Sequence, residues 1–280
     1  MNTSPEPASC PYPSRGPRPS FVPRKGGPSP RVVVVLPAYN AARTLRATVE
    51  DLPTKGIAEV ILVDDASQDG TAELAETLGL TVIRHAHNLG YGGNQKTCYS
   101  EALARGADIA VMVHPDHQYN PRMVPQLVDP IARGDCDAVL GSRMLGGRYF
   151  EGGMPRWKYC ANITLTAAFN LTTGRFLTEC HTGFRAYSHR YLTAVNFLAN
   201  SDSFVFDVQI LLQGIQAGMR FYETPIDTRY FAEASQVGFW AGARYGLSIL
   251  VELAAYRLHR MGLWTAAFLQ RPSGREGMSA

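Results

Sequence analysis

The stretch VHPDHQYNP, Val113 to Pro121, sets an acid between two imidazoles, directly after an apolar run and just before a proline turn. Acid, imidazole and amide side chains in that order suit a metal site, part of a larger catalytic site, or a polar loop closing a strand. Similar polar ends recur. Pro37, Tyr39 and Asn40 follow one β-rich run, and Asp64 and Asp65 close a second. His85, His87 and Asn88 follow a third, and His114 and Asp116 a fourth. The second half carries well-separated cations: Arg143 in GSR, Lys158, Arg185 in TGFR and Arg229 after TPIDT. Arginine offers a fixed fork that matches phosphate oxygens. Asp207 of FVFDVQ and Glu179 of TECHTGFR are candidate bases should a hydroxyl be the nucleophile. Asp207 reads equally well as a buried carboxylate paired with an arginine, and His181 as a loop residue that packs or caps.

The elements that must position these groups alternate. Val32 to Leu36 is a continuous β-branched and aliphatic run, the mark of a strand buried on both faces. AARTLRATVEDL then carries Leu45, Val49 and Leu52 at helical spacing. EVILVDDAS is a second strand, DGTAELAETLG a helix, LTVIRHA a third strand, GGNQKTCYSEALARG a helix and ADIAVMVH a fourth strand. This alternation predicts an α/β fold of right-handed βαβ units, a mostly parallel sheet with helices on both faces. Ligands of open α/β sheets bind outside the carboxyl ends of the strands, so four polar strand ends converge on one crevice. Asn88, Gly90, Gly92 and Gly93 read as a flexible loop ahead of a helix, where glycine permits close backbone approach to a ligand. Lys96 in that helix either approaches a diphosphate or faces solvent.

The second half is less regular. DAVLGSRML is a strand, KYCANITLTAAFNLTTG a helix, and ECHTGFRAYSHRYL a polar turn leading into a helix. FVFDVQILLQGIQAG is an apolar helix ended by Gly218, and MRFYETPIDTRYF a short strand placed at an edge by Pro225. From about residue 240 an apolar helix is flanked by Arg244, Arg257 and Arg260 and followed by Trp264. It reads either as a helix lying in a membrane interface or as one docked on the domain. Residues 1–30 hold nine of the 18 prolines and read as a disordered leader. The implied organisation is therefore a leader (1–30), a catalytic domain (31–240) and an amphipathic helical segment with a tail (241–280).

Composition narrows the function classes. A net charge of +3 over 280 residues, with no basic block interleaved with aromatics, argues against nucleic acid. Five irregularly spaced cysteines, with no CxxC pair, point to reduced thiols and the cytoplasm. The amino end lacks the apolar core of a secretory signal, and no apolar run reaches the roughly 18–20 residues of a membrane span.

VVVVLPAYN, VILVDDASQDGT, HNLGYGGNQ, the Asp of HPDHQYNP, AVLGSRML, HTGFRAYS, FVFDVQIL and YETPIDTRY follow in order over residues 31–236. In this series the chain resembles the family 2 glycosyltransferases, in the dolichyl/polyprenyl-phosphate sugar synthase-like branch. The resemblance implies a GT-A type, Rossmann-like nucleotide-sugar-binding domain. It also implies inverting transfer from a UDP- or GDP-sugar with Mg²⁺ or Mn²⁺, most simply to a polyprenyl phosphate at the cytoplasmic face of the membrane. It assigns Pro37, Tyr39, Asn40, Val63, Asp65, Asn88, Gly90, His114, Pro115 and Asp116 to the nucleotide sugar. It assigns Asp116, Gln118 and His114 to the metal, and Arg143, Lys158, Arg185 and Arg229 to the acceptor phosphate. Asp116, Arg143, Arg185 and Asp207 form the implied catalytic set. The chain departs from the family pattern at His114, where a first metal acid is usual, at Ala41, at Gln209 and at Ser235, where a basic residue is usual. Those departures keep a soluble hydroxyl acceptor open, and a nucleotide-sugar-binding protein without turnover.

Overall fold

A computed structural model describes residues 29–147, 150, 153–229 and 239–270. The leader up to residue 28, and Ser235, lie outside the described residues. Seven strands make one sheet: β1 (Val32–Ala38), β2 (Glu59–Asp64), β3 (Thr81–Arg84), β4 (Ile109–Met112), β5 (Ala138–Ser142), β6 (Arg185–Ser188) and β7 (Phe221–Pro225). Their order is β3-β2-β1-β4-β6-β5-β7. Only β6 runs antiparallel to its neighbours, β4 and β5; the other pairings are parallel. The chain builds outward from β1 through β2 to β3, then returns to set β4 on the other flank of β1. That reversal opens a crevice at the carboxyl ends of β1 and β4.

The aliphatic run of β1 explains why it is central. Val32, Val34 and Leu36 face one side of the sheet, where α1 (Ala42–Glu50), α2 (Thr71–Thr77) and α4 (Val124–Ala132) pack. Val33 and Val35 face the other side, against α3 (Gly90–Ala104), α6 (His189–Ala194) and α7 (Phe206–Gln216). All five are fully buried, each worth about 1.5–3 kcal/mol in apolar burial. A third core joins α5 (Arg156–Thr173), α7 and α8 (Phe239–Arg260) through Phe169, Leu211, Ile249 and Leu253. The carboxy-terminal helix thus docks on the domain through its inner face.

Two expectations are corrected. Residues 185–188 are a buried strand rather than a turn: Arg185 pairs with Met112 and Leu140, and Tyr187 with Ala110 and Ala138. An arginine at the first position hid the apolar pattern. Gly90 to Gly93 form the opening turns of α3 rather than a loop. Their glycines serve close approach, because a Cβ at Gly92 would strike the backbone of Ser201 and Asp202. Lys96 pairs with Asp202 of the same segment at 2.6 Å. As expected, β7 lies at the sheet edge.

Candidate active site

A cavity of about 1230 Å³ opens at the carboxyl ends of β1, β2 and β4. Pro37, Tyr39, Asn40 and Asp65 border it from the first two strands, with Asn88 and Gly90 from the approach to α3. His114, Pro115, Asp116 and Gln118 enter after β4, Arg143 after β5, Lys158 from α5 and Asp207 from α7. Val63, Arg185 and Arg229 do not border it. Val63 is buried in β2, and its carbonyl accepts from Asn94 Nδ2 at 3.0 Å, which ties α3 to the sheet. Arg229 belongs to a segment clipped beside the Asp116 loop: its N–H donates to the Gln118 carbonyl (3.0 Å), and Thr228 bridges to Tyr119.

Backbone strain concentrates here. Among the described residues the non-glycine positions with positive φ are Asn40 (51°), Ala66 (62°) and His117 (57°). They follow β1, β2 and β4, the three strands whose ends form the crevice. Such conformations cost on the order of 1–3 kcal/mol each and persist only where the surroundings enforce them. Behind Asp116 the enforcement is visible. The buried Asp51 carboxylate receives His117 Nε2 at 3.1 Å and Arg122 Nε at 2.9 Å. Thr44 Oγ1 donates to the Pro115 carbonyl at 2.6 Å. None of these clamp residues was singled out in the sequence; Asp51 lies 66 and 71 positions from its partners. The one local signal is the pair of imidazoles flanking Asp116.

At the end of β2, Asp65 caps α3 from a neighbouring strand. Its Oδ1 accepts from Leu89 N (2.8 Å) and its Oδ2 from Gly90 N (3.0 Å). His85 Nδ1 lies 2.8 Å from Oδ1, and its Nε2 2.9 Å from Thr97 Oγ1. Both carboxylate oxygens of Asp65 therefore hold the helix start in place, and the residue borders the cavity.

The cationic wall is built on buried acids. Arg143 is gripped by Glu179, which accepts from Arg143 N (2.7 Å) and Nε (2.6 Å) and from Asn162 Nδ2 (2.7 Å). Burial raises the Glu179 pKa, but the Arg143 charge and these hydrogen bonds outweigh it and hold the carboxyl below its usual range. Lys158 sits near Arg143, and burial together with that charge pulls its pKa below the ordinary lysine value. Arg185 is not an acceptor ligand. It is 1% exposed and donates to the carbonyls of Thr182, Cys180 and Asp207 and to Tyr187. Its guanidinium also lies 3.5 Å from Asp207 Oδ1. Asp207 further accepts from Tyr91 (2.8 Å) and Gln95 (3.1 Å). It is the paired structural carboxylate, exposed at one edge to the cavity.

The donor set for a cation is sparse. Among the described residues no group of three His, Cys, Asp or Glu could hold a metal. His114 stacks on Tyr91, with ring centroids 5.6 Å apart, and its Nε2 edge packs against Gly183, where a Cβ would overlap the ring. Burial pushes its pKa down, so it stays neutral. The ring thus packs between Tyr91 and Gly183 at the border of the cavity. Burial pushes the Asp116 pKa up, the behaviour of a carboxylate short of positive partners. Asp116 and the Gln118 amide oxygen fit a hard cation whose remaining ligands are phosphate oxygens and water.

Asp116, Arg143 and Lys158 thus border one crevice at the strand switch. Residues 33–195 match the Glycosyl transferase family 2. The chain belongs to this family. Its relatives include a UDP-N-acetylglucosamine–dolichyl-phosphate N-acetylglucosaminyltransferase of Methanococcus voltae, 26% identical over 71% of this chain and 86% of that one. An undecaprenyl-phosphate mannosyltransferase of Micrococcus luteus is 29% identical over 70% and 82%. These relatives put the family 2 chain in the polyprenyl-phosphate sugar synthase-like branch. Glucosyl-3-phosphoglycerate synthase from Mycobacterium tuberculosis, solved with Mn²⁺, UDP-glucose and phosphoglyceric acid, shares the fold: TM-score 0.61 and 21% identity, covering 85% of this chain and 82% of that one.

Asp51→Asn is expected to lower stability by about 2–3 kcal/mol, less than a fully buried pair because Arg122 is partly exposed. It should also slow turnover by loosening the Asp116 loop. Urea unfolding and steady-state kinetics check this; wild-type values in both would remove the clamp from the account. His181, which also borders the cavity, is pushed down to about 4 by burial. Between about pH 6.5 and 5 the unfolded chain takes up a proton at this ring and the folded chain does not. Folding therefore loses about 1–2 kcal/mol over that window as pH falls. His181→Gln should flatten this part of the stability–pH curve, measured by denaturant titration at each pH; an unchanged slope would contradict it.

Proposed function

We propose that the protein transfers a sugar, with inversion, from a UDP- or GDP-sugar to the phosphate of a polyprenyl carrier at the cytoplasmic face of the membrane. One observation carries the choice of acceptor: both carboxylates considered as bases are already engaged. Glu179 is held by Arg143 and Asn162, and Asp207 by Tyr91, Gln95 and Arg185. A hydroxyl nucleophile needs a base. A phosphate monoester, with a second pKa of about 6, is largely dianionic near neutrality and needs none.

In this reading Pro37, Tyr39, Asn40 and Asp65 receive the nucleoside, with Asn88 and Gly90 at the start of α3 beside the diphosphate. Asp116 and Gln118 hold Mg²⁺ or Mn²⁺. Such an ion, when bound, neutralises charge on the departing diphosphate. Arg143 and Lys158 orient the acceptor phosphate. The lowered Lys158 pKa supports this, since two cations placed together favour an anion between them. An acceptor oxygen then bonds to the anomeric carbon as the bond from that carbon to the diphosphate oxygen breaks. Arg185 positions Asp207 and does not touch the acceptor. Residues 31–240 supply the catalytic unit, and the segment from 241 covers α5 and α7.

A radiolabelled transfer assay tests this, with UDP- and GDP-sugars, Mn²⁺ or Mg²⁺ against EDTA, and a membrane lipid extract. Metal-dependent label in the organic phase is expected. Asp116→Ala should cut it by about 100-fold or more, equivalent to roughly 2.7 kcal/mol of barrier, with the melting curve intact. Label confined to a water-soluble product, or full transfer by the alanine variant, would overturn the reading.

A further inference from the structure

We infer that the outer face of α8, together with the far end of α5, is a docking surface for an anionic lipid bilayer. The inference rests on the lipid-acceptor reading above and names the surface that would serve it. The inner face of α8 is used up by the core, through Ile249, Leu253 and Tyr256. The opposite face carries Trp240, Leu247, Leu250, Val251 and Leu258, all exposed, at the three- and four-residue spacing of one helical stripe. From Trp240 to Leu258 the stripe runs about 27 Å along the 22-residue helix. An exposed apolar face of that length on a soluble domain marks an interaction site.

The neighbouring helix extends it. Gly242 packs on Trp157, Gly246 on Leu165, and Arg257 Nη1 donates to the Thr172 carbonyl at 3.5 Å, so α5 and α8 run side by side in the same direction. Toward their carboxyl ends Leu171 is 86% exposed and Phe176 95%, and Leu263 and Trp264, just past α8, are also exposed. A cleft of about 290 Å³ there is bordered by Arg175, Arg257 and Arg260. Arg244 lies along the exposed side of α8, whereas the one acid in its sequence, Glu252, is partly buried.

Charge decides the occupant. An apolar stripe edged by arginines and ending in tryptophan complements lipid: acyl chains for the stripe, phosphates for the guanidiniums, the interface for the indoles. A second copy seated on this face would oppose arginine to arginine. Among the described residues no helix is long and apolar enough to cross a membrane, so the contact is peripheral. The same helices wall the cavity through Trp157, Leu165 and Tyr245. Docking would therefore bring the cavity edge to the level of lipid phosphates.

The test is sedimentation of the full chain with phosphatidylcholine vesicles, with and without phosphatidylglycerol, at low and high salt. Binding only to the anionic vesicles is expected, weakened by salt, with a blue shift of tryptophan emission. Leu247→Asp with Val251→Asp should lower the partition coefficient about tenfold or more. Arg257→Ala and Arg260→Ala should lower it about fivefold each. Melting temperature and transfer to a short, water-soluble polyprenyl phosphate should stay at wild-type levels in all of them. Wild-type failure to bind anionic vesicles would overturn the docking surface while leaving transfer to the short acceptor as a separate result. Loss of self-association in the aspartate variant, with vesicle binding unchanged, would assign the face to a second copy and equally overturn it.

Discussion

The parallel pairing of β1 with β2 on one flank and β4 on the other is the constraint on which the site depends. Because the chain grows outward in one direction and then reverses, the loops after β1 and β4 diverge and leave space between them. Five fully buried aliphatic residues fix β1 in the middle, so hydrophobic burial sets the position of the crevice. The left-handed residues Asn40, Ala66 and His117 then turn the chain sharply at the ends of those strands. Strain is held at the rim because the strands below it cannot move.

Within this frame the buried charges that hold the fold together are paired. Asp51, Glu179 and Arg185 are matched by nearby ions or carbonyls. At the cavity, burial raises the Asp116 pKa, and burial together with the Arg143 charge lowers that of Lys158. Burial of charge is expensive, and a bound cation beside Asp116 and an anion beside Arg143 and Lys158 would offset it. The family 2 relationship and the local chemistry point the same way by separate routes.

Much of this was legible in the sequence, because burial on both faces and polar strand ends leave local patterns. The β1 run, the edge placement of β7 by Pro225 and the convergence of Asp65, His114 and Asp116 all follow from residue order. What was not legible depends on partners distant along the chain. Arg185 reads as a phosphate ligand in TGFR, yet it opens a buried strand and supports Asp207. His114 reads only as a polar neighbour of an acid, and its stacking on Tyr91 and packing at Gly183 appear only in the fold. The Asp51 clamp leaves only the His117 imidazole as a local signal, because a helix end and a strand-end loop meet only after folding.

The central claim is that the crevice binds a nucleoside diphosphate together with a cation held by Asp116. Mn²⁺ binding followed by electron paramagnetic resonance, with and without UDP or GDP, addresses it directly in the wild type and in Asp116→Asn. The account predicts that nucleotide tightens Mn²⁺ binding in the wild type, and that the asparagine variant loses this by about tenfold or more (about 1.4 kcal/mol) while keeping its fold. Equal Mn²⁺ affinity in the two proteins, with nucleotide present, would contradict it.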